Sequence, residues 1–328
     1  MSRFETTILF HGNCIDGWFS AYLAFCKLQA NGAVQLFPIA PSQPNTWPAS
    51  ETMEGTDVWL LDVSVPEYAR EEWFAAGART IQCIDHHATA LTQWPEGTIQ
   101  TDCCAAMQTW RHFYGELEMP AWLHSIDRVD RWVDVTYEDR CLREFLHDLA
   151  RLPVQKRIQD ALIQTDAFVH HMEEHPEEIK QYEEKGEVAL TKKDAYLTEL
   201  LETKGHTILV EERHLLLWKL PETWLGLHLF LMNTTDIILD TTEASYLAFS
   251  HYPLVDVFIN YRNNTFYEKK GRSKRMKTRT VYSARSKSVD VTQGTILGGH
   301  PRSAGASLIH GETKHFPFLL DSLSSSSS

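Results

Sequence analysis

Apolar positions in the first part of the chain fall into short unbroken runs, each followed by a stretch with helical spacing. Thr6-Thr7-Ile8-Leu9-Phe10-His11 is a β-type run, and Gly12-Asn13-Cys14-Ile15-Asp16-Gly17 interrupts it. Phe19, Tyr22, Leu23, Phe25 and Cys26 then recur at helical intervals as far as Leu28. Val58-Trp59-Leu60-Leu61-Asp62-Val63 repeats the layout, with a helix expected from Pro66 to Gly77, and Thr80-Ile81-Gln82-Cys83-Ile84 is a third run. Unbroken apolar strands alternating with helices predict a parallel sheet covered on both faces.

Such sheets present ligands at the carboxyl ends of their strands. His11, Asp16, Asp62, Asp85, His86 and His87 all fall at or just past those ends. Any one of them alone reads as a turn or capping residue. Carboxylates and imidazoles delivered to one edge by three strands read as a cation site, because like charges packed together are costly unless a cation neutralises them. Oxygen and imidazole donors without paired thiolates favour Mn²⁺ or Mg²⁺ over Zn²⁺ or iron. Two more helices are expected, at Asp102–Tyr114 and from Met119 through Asp127, and Asp127 and Asp130 share one helical face.

The texture changes after about residue 150. Ile158, Leu162 and Phe168 keep helical spacing, and the acidic run Glu173 to Glu178 follows. His170, His171 and His175 there read as a solvated helix face. From His206 β-type runs return: Thr207–Val210, Leu215–Trp218, Ile237–Leu239 and Leu254–Tyr261, the last with a hairpin signal after it. Seven cations (Lys269, Lys270, Arg272, Lys274, Arg275, Lys277 and Arg279) then crowd together, either as a solvated loop or as an attractor for a phosphate backbone. Finally, Arg285-Ser286 precedes Gly298-Gly299-His300-Pro301-Arg302, where glycines let a backbone approach a ligand and Arg285, His300 and Arg302 offer donors to phosphate oxygens.

Composition narrows the class. A chain of 328 residues predicts more than one domain. The six cysteines all precede residue 142 without a CxxC pair, which suits reduced thiols in a cytoplasmic protein better than disulfides. No apolar stretch reaches membrane-spanning length, and no secretory layout opens the chain. A formal charge of −13 argues against bulk electrostatic coating of nucleic acid, leaving only the local basic run.

Four ordered stretches resemble the DHH phosphoesterase superfamily, in particular its DHHA1-type members, which include oligoribonucleases, dinucleotide phosphodiesterases and RecJ-type exonucleases. They are His11–Gly17, Leu61-Asp62-Val63-Ser64, Asp85-His86-His87 and Ile126–Trp132, and the Arg-Ser pair with the Gly-Gly-His loop resembles the DHHA1 substrate motif. The resemblance implies an α/β architecture in four parts: a parallel-sheet DHH domain over 1–150, a helical linker over 151–204, a smaller mixed-sheet α/β DHHA1 domain over 205–321, and a serine-rich tail over 322–328. It further implies two Mn²⁺ ions per chain, one on His11 and Asp62 and one on Asp16, Asp62, His86 and Asp127, with Asp62 bridging. Asp85 would orient His86, and His87 would face the phosphate. Arg285, Ser286, Gly298, Gly299, His300 and Arg302 would bind substrate. In the family's first motif two aspartates stand one residue apart, whereas here Cys14 occupies the first of those places. Three outcomes are open for the first site: it uses Cys14 or Asn13, it is weaker, or it is empty.

The expected activity is hydrolysis of phosphodiester bonds in short oligonucleotides or dinucleotides by a metal-activated hydroxide. Two alternatives stand beside it: a nucleotide-binding or regulatory protein that keeps the fold without catalysis, and a polyphosphate or phosphoanhydride hydrolase. No membrane partner is expected, and the oligomeric state is left open, a homodimer included.

Overall fold

The structure is a computed structural model that describes residues 4–40, 44–94, 97–151, 153, 157–218, 220–235, 237, 239–270, 273–291, 293, 298–300 and 303–309. The chain divides into two compact units, Met1–Leu190 and Thr191–Ser328.

In the first unit the elements run β1 (Thr6–His11), α1 (Ile15–Leu28), β2 (Val34–Ile39), β3 (Asp57–Leu61), α2 (Glu67–Ala75), β4 (Thr80–Asp85), α3 (Ala90–Gln93) and β5 (Thr98–Ile99). Helices α4 (Ala105–Tyr114), α5 (Ala121–Arg131), α6 (Tyr137–Arg151) and α7 (Ile158–Glu174) follow, and α8 (Lys180–Lys204) runs past the division at Leu190. The five strands form one parallel sheet in the order β2-β1-β3-β4-β5.

Alternation along each strand explains the layering, because successive side chains leave opposite faces. Ile8, Phe10, Trp59, Leu61 and Ile84 join α1, α4, α5, α6 and α7 in one core, while Leu9, Val58, Leu60 and Cys83 pack with Ala69 and Trp73 of α2 in another. Helix α7 belongs to the first core through Leu162, Phe168, Val169 and Met172. It is also tied to α1, since Trp18 Nε1 donates to Thr165 Oγ1 at 2.9 Å.

The second unit carries β6 (Gly205–Leu209), α9 (Glu212–Trp218), β7 (His228–Asn233), α10 (Thr241–His251), β8 (Val257–Lys270), β9 (Ser273–Ser286), β10 (Gly298–His300) and β11 (Ser303–Ile309). Its sheet is mixed, in the order β10-β11-β9-β8-β7-β6, with only β7 and β8 parallel. Two of the expected strands are absent from it. Leu215–Trp218 is the end of helix α9, where the His214 ring stacks on Trp218 four residues on, at 4.9 Å. A run of four apolar residues carries no period, and the charged Glu211–Arg213 before it supplies a helical start. Ile237 and Leu239 lie outside any strand, in the approach to the Asp240 cap of α10. The basic run, Arg272 aside, falls on the long β8–β9 hairpin.

Among the described residues, no helix is long and apolar enough to cross a membrane. Arg272, Arg302 and the tail at 322–328 lie outside the described residues.

Candidate metal centre

The parallel sheet brings the predicted edge together. His11 ends β1, Asp62 follows β3 directly, and Asp85 ends β4. Asn13 and Asp62 both take left-handed backbone, with φ of 62° and 57°, a region that Asn and Asp tolerate better than most side chains. Gly17, in the first turn of α1, sits so close to β1 that a Cβ there would lie 2.4 Å from the His11 carbonyl oxygen. Helix α1 therefore reaches the strand end only because that position has no side chain.

His86 is the hub. Its buried Nε2 lies 3.2 Å from Asp62 Oδ1, 3.2 Å from Asp130 Oδ2 and 3.6 Å from Asp16 Oδ2. Asp62 turns its other oxygen to His11 Nδ1, 3.2 Å away. Three donor groups result, Asp16 with His86 and Asp130, His11 with Cys14 and Asp62, and Asp62 with Asp85, His86 and His87, each holding its ligand atoms within 4.8 Å of one another. The last joins the other two, sharing Asp62 with one and His86 with the other. Asn13 is exposed.

Two residues sit differently from the expectation. Asp127 is held away from the hub: its Oδ1 accepts from the Cys104 N–H at 2.7 Å and from Arg131 Nε at 2.8 Å, and its Oδ2 pairs with the same guanidinium. An arginine four residues on captures that carboxylate. Asp130, three residues further along α5, reaches His86 in its stead. The sequence signal for Asp130 was its place on the same helical face as Asp127. Asp85 likewise serves His87 rather than the His86 ring, because its Oδ1 lies 2.7 Å from His87 Nδ1 while accepting from the His86 and His87 backbone N–H groups at 2.7 and 3.2 Å.

The electrostatics follow from three carboxylates around one imidazole. Burial, with the charges of Asp62 and Asp130, pushes the Asp16 carboxyl well above its ordinary range, and burial raises Asp130 as well. Burial works in the same direction on Asp62, but His11 and His86 hold it well below. His86 is pushed up to about 11: burial opposes its charge, and Asp130, Asp62 and Asp16 overcome that. Asp85 does the same for His87 against burial, to about 9. Burial beside Asp62, Asp130 and Asp16 holds the Cys14 thiol well above its usual value.

The donor set fits a divalent cation. Carboxylates crowd around one protonated imidazole, and Asp62 Oδ1 is buried with no aligned hydrogen-bond donor among the described residues. An ion replacing that proton would relieve both conditions.

In the second unit, β9, β11 and β10 carry the predicted substrate residues. The register sets His300 opposite Ser303 and Ser303 opposite Arg285, so the three occupy one row across the sheet, with Gly298 and Gly299 beside them on β10. Arg285 Nη1 donates to the Ala284 carbonyl at 3.0 Å. Ser286 is committed to a turn, its Oγ accepting from the Val289 N–H at 2.8 Å. Nearby, Thr234, Thr241, Asn260, Arg262 and Ser283 line a polar pocket of about 120 Å³.

No family model and no curated protein matches the sequence. Among solved structures, the chain is similar to the crystal structure of RecJ in complex with Mn²⁺ from Thermus thermophilus, at 13% identity and a TM-score of 0.46. The match covers 93% of this chain and 50% of that one, so the chain spans half the length of that structure.

Proposed function

We propose that this chain is a divalent-metal-dependent phosphoesterase of the DHH type that hydrolyses phosphodiester bonds in short oligonucleotides or dinucleotides. The observation that carries the reading is the convergence of Asp16, Asp62 and Asp130 on His86 Nε2, at the carboxyl edge of a parallel sheet.

In this reading Asp16, His86 and Asp130 hold one Mn²⁺, and His11, Cys14 and Asp62 contribute to a second, with Asp62 shared. Asp130 takes the place that the resemblance gave to Asp127. When bound, the cations supply Lewis acidity, which lowers the pKa of a nucleophilic water and offsets charge on the phosphoryl group.

The remaining work belongs to side chains. Asp85 Oδ1 fixes the His87 ring through Nδ1, so that Nε2–H of a cationic imidazole is available to a non-bridging phosphoryl oxygen as charge develops there. The backbone bonds from His86 and His87 to the same Asp85 oxygen lock the turn that carries both rings. Asp127, through Arg131 and the Cys104 N–H, fixes the start of α4 against α5, and the Ala105 and Ala106 N–H groups of α4 in turn orient Asp16 at 2.8 and 2.6 Å. By the resemblance, Arg285 and His300 of the second unit would supply donors for a terminal phosphate.

The test is a hydrolysis screen with Mn²⁺ over a linear dinucleotide, short RNA and DNA oligomers, cyclic dinucleotides and polyphosphate. Cleavage of oligomers or dinucleotides is expected. Binding of these ligands without turnover in Mn²⁺ or Mg²⁺ would instead identify a nucleotide-binding protein.

A further inference from the structure

A second cluster of metal-ligating side chains lies where α7 gives way to α8. In sequence His170, His171 and His175 stand beside glutamates without any sign that the acids are held against them. The fold supplies that. Helix α7 ends at Glu174, His175 leaves the helical region at φ −135°, and Pro176 opens a single 3-10 turn, Pro176–Ile179, that leads straight into α8. The corner is fixed by its backbone: the His175 N–H donates to the His171 carbonyl at 2.8 Å and the Glu178 N–H to the His175 carbonyl at 3.0 Å.

The turn gathers three donors, His175, Glu177 and Glu178, with His171 beside Glu178. His171 Nε2 lies 3.1 Å from Glu178 Oε2, and His175 Nδ1 lies 3.7 Å from Glu177 Oε1. His175, Glu177 and Glu178 each place one ligand atom within 4.8 Å of the others, and the two imidazole rings are 5.4 Å apart. Tetrahedral Zn²⁺, with ligands at about 2.0–2.2 Å, holds its donors about 3.4 Å from one another. The two His–Glu separations bracket that distance. The residues that must still close in are the accessible ones, His175 and Glu177, whose side chains are 50% and 71% exposed.

His171 has the support that metal-bound imidazoles usually have. Its Nδ1 meets the Tyr182 hydroxyl at 2.7 Å, and Tyr182 is itself wedged against Phe168 at 4.9 Å and Phe145 at 4.8 Å in the core. Without an ion, Nε2–H faces the Glu178 carboxylate and Nδ1 accepts from the Tyr182 hydroxyl; with one bound, Nδ1–H would donate to the Tyr182 oxygen and leave the Nε2 lone pair to the ion. An exposed ion pair between a histidine and a glutamate contributes little and needs no such support.

We infer that this corner is a metal site distinct from the cluster around His86, taking a Zn²⁺-class ion through His171 Nε2, His175 Nδ1, Glu177 and Glu178. At equal availability Zn²⁺, Ni²⁺ and Cu²⁺ bind a given set of nitrogen and oxygen donors more tightly than Mn²⁺, which makes Zn²⁺ the probe for this corner. The ion would clamp the end of α7 to the 3-10 turn that leads into α8.

Equilibrium dialysis of the full chain against Zn²⁺, with metal analysis, reads the site directly. Wild type should hold one more equivalent per chain than His171→Gln or His175→Ala, or bind that equivalent at least tenfold more tightly. Glu177→Gln, a substitution at an exposed position that leaves the fold intact, should weaken it in the same direction. The equivalent should persist in Asp62→Asn, which perturbs the other cluster. Matching circular dichroism spectra would establish that the variants are folded. Equal Zn²⁺ stoichiometry and affinity in wild type and all three corner variants would overturn the inference, whether or not the chain hydrolyses phosphodiesters.

Discussion

Asp130 and Asp127 can be separated by paired substitutions, Asp130→Asn and Asp127→Asn. Asp130 Oδ2 lies 3.2 Å from His86 Nε2, whereas Asp127 is spent on Arg131 and the Cys104 N–H. Loss even of an outer partner in a metal site weakens affinity roughly 10–100-fold, or about 1.4–2.7 kcal/mol, and loss of a direct ligand costs at least that. For a domain of this size about 1 kcal/mol moves Tm by about 2–4 °C, so the rise in Tm on adding Mn²⁺ should shrink by roughly 3–10 °C in Asp130→Asn. Without metal that variant should melt at or above the wild-type temperature, because the Asp130 carboxyl is raised by burial and its charge is unfavourable there. Asp127→Asn should behave in the opposite way. It loses hydrogen bonds to a guanidinium, worth about 1.5–3 kcal/mol, so its metal-free Tm falls while its Mn²⁺-induced rise stays near wild type. Differential scanning calorimetry in EDTA and in excess Mn²⁺ measures all four quantities. A Mn²⁺ response abolished in Asp127→Asn and intact in Asp130→Asn would refute the assignment.

Further expectations follow from particular contacts. Gly17→Ala forces a Cβ to within 2.4 Å of the His11 carbonyl oxygen, so it should cost about 1–3 kcal/mol in chemical denaturation and weaken Mn²⁺ binding together. Asp85→Asn removes the anchor of the His87 ring and should lower kcat at least tenfold with little change in KM for an oligonucleotide; unchanged kcat would remove His87 from the chemistry. Burial opposes the Asp139 charge, yet hydrogen bonds from Arg128 and the Thr136 N–H hold its carboxyl below the ordinary range. Its stabilisation is therefore present above the unfolded carboxyl pKa and lost as pH falls through the lower folded value. Asp139→Asn should destabilise by about 1–2 kcal/mol at pH 7, after screening at the partly exposed Arg128, and flatten the acid limb of a Tm-against-pH curve. Phe168→Ala, in the core beside Phe19 and Trp122, should cost about 3–5 kcal/mol by urea titration.

The parallel sheet was legible because its strands are buried on both faces and appear as unbroken apolar runs, as at Val58–Leu61. Its carboxyl edge was legible for the same reason: strand ends are fixed by where those runs stop. What the pattern did not carry was the choice among neighbours on a helix. Asp127 and Asp130 share a face, and only the position of Arg131 beside one of them decides which carboxylate is left for His86. The second unit was less readable. Leu215–Trp218 is too short to show a period, and it lies in a helix in which His214 stacks on Trp218. Strands β2 and β7 were missed, since Val34–Ile39 includes a proline and partly buried positions, and the apolar residues of His228–Asn233 sit among other short runs. The glutamates near His171 were visible in sequence, but the reversal at Pro176 that turns them back on the histidines is a property of the folded corner.

The central claim is that the cluster around His86 is a metal centre that cleaves phosphodiesters. The most direct measurement is the rate of nucleotide release from a short labelled oligonucleotide by wild type and by Asp62→Ala, each with Mn²⁺ and with EDTA. The account predicts turnover for wild type with Mn²⁺ alone, and none for Asp62→Ala in either condition. Equal turnover by Asp62→Ala, or turnover by wild type that survives EDTA, would contradict it.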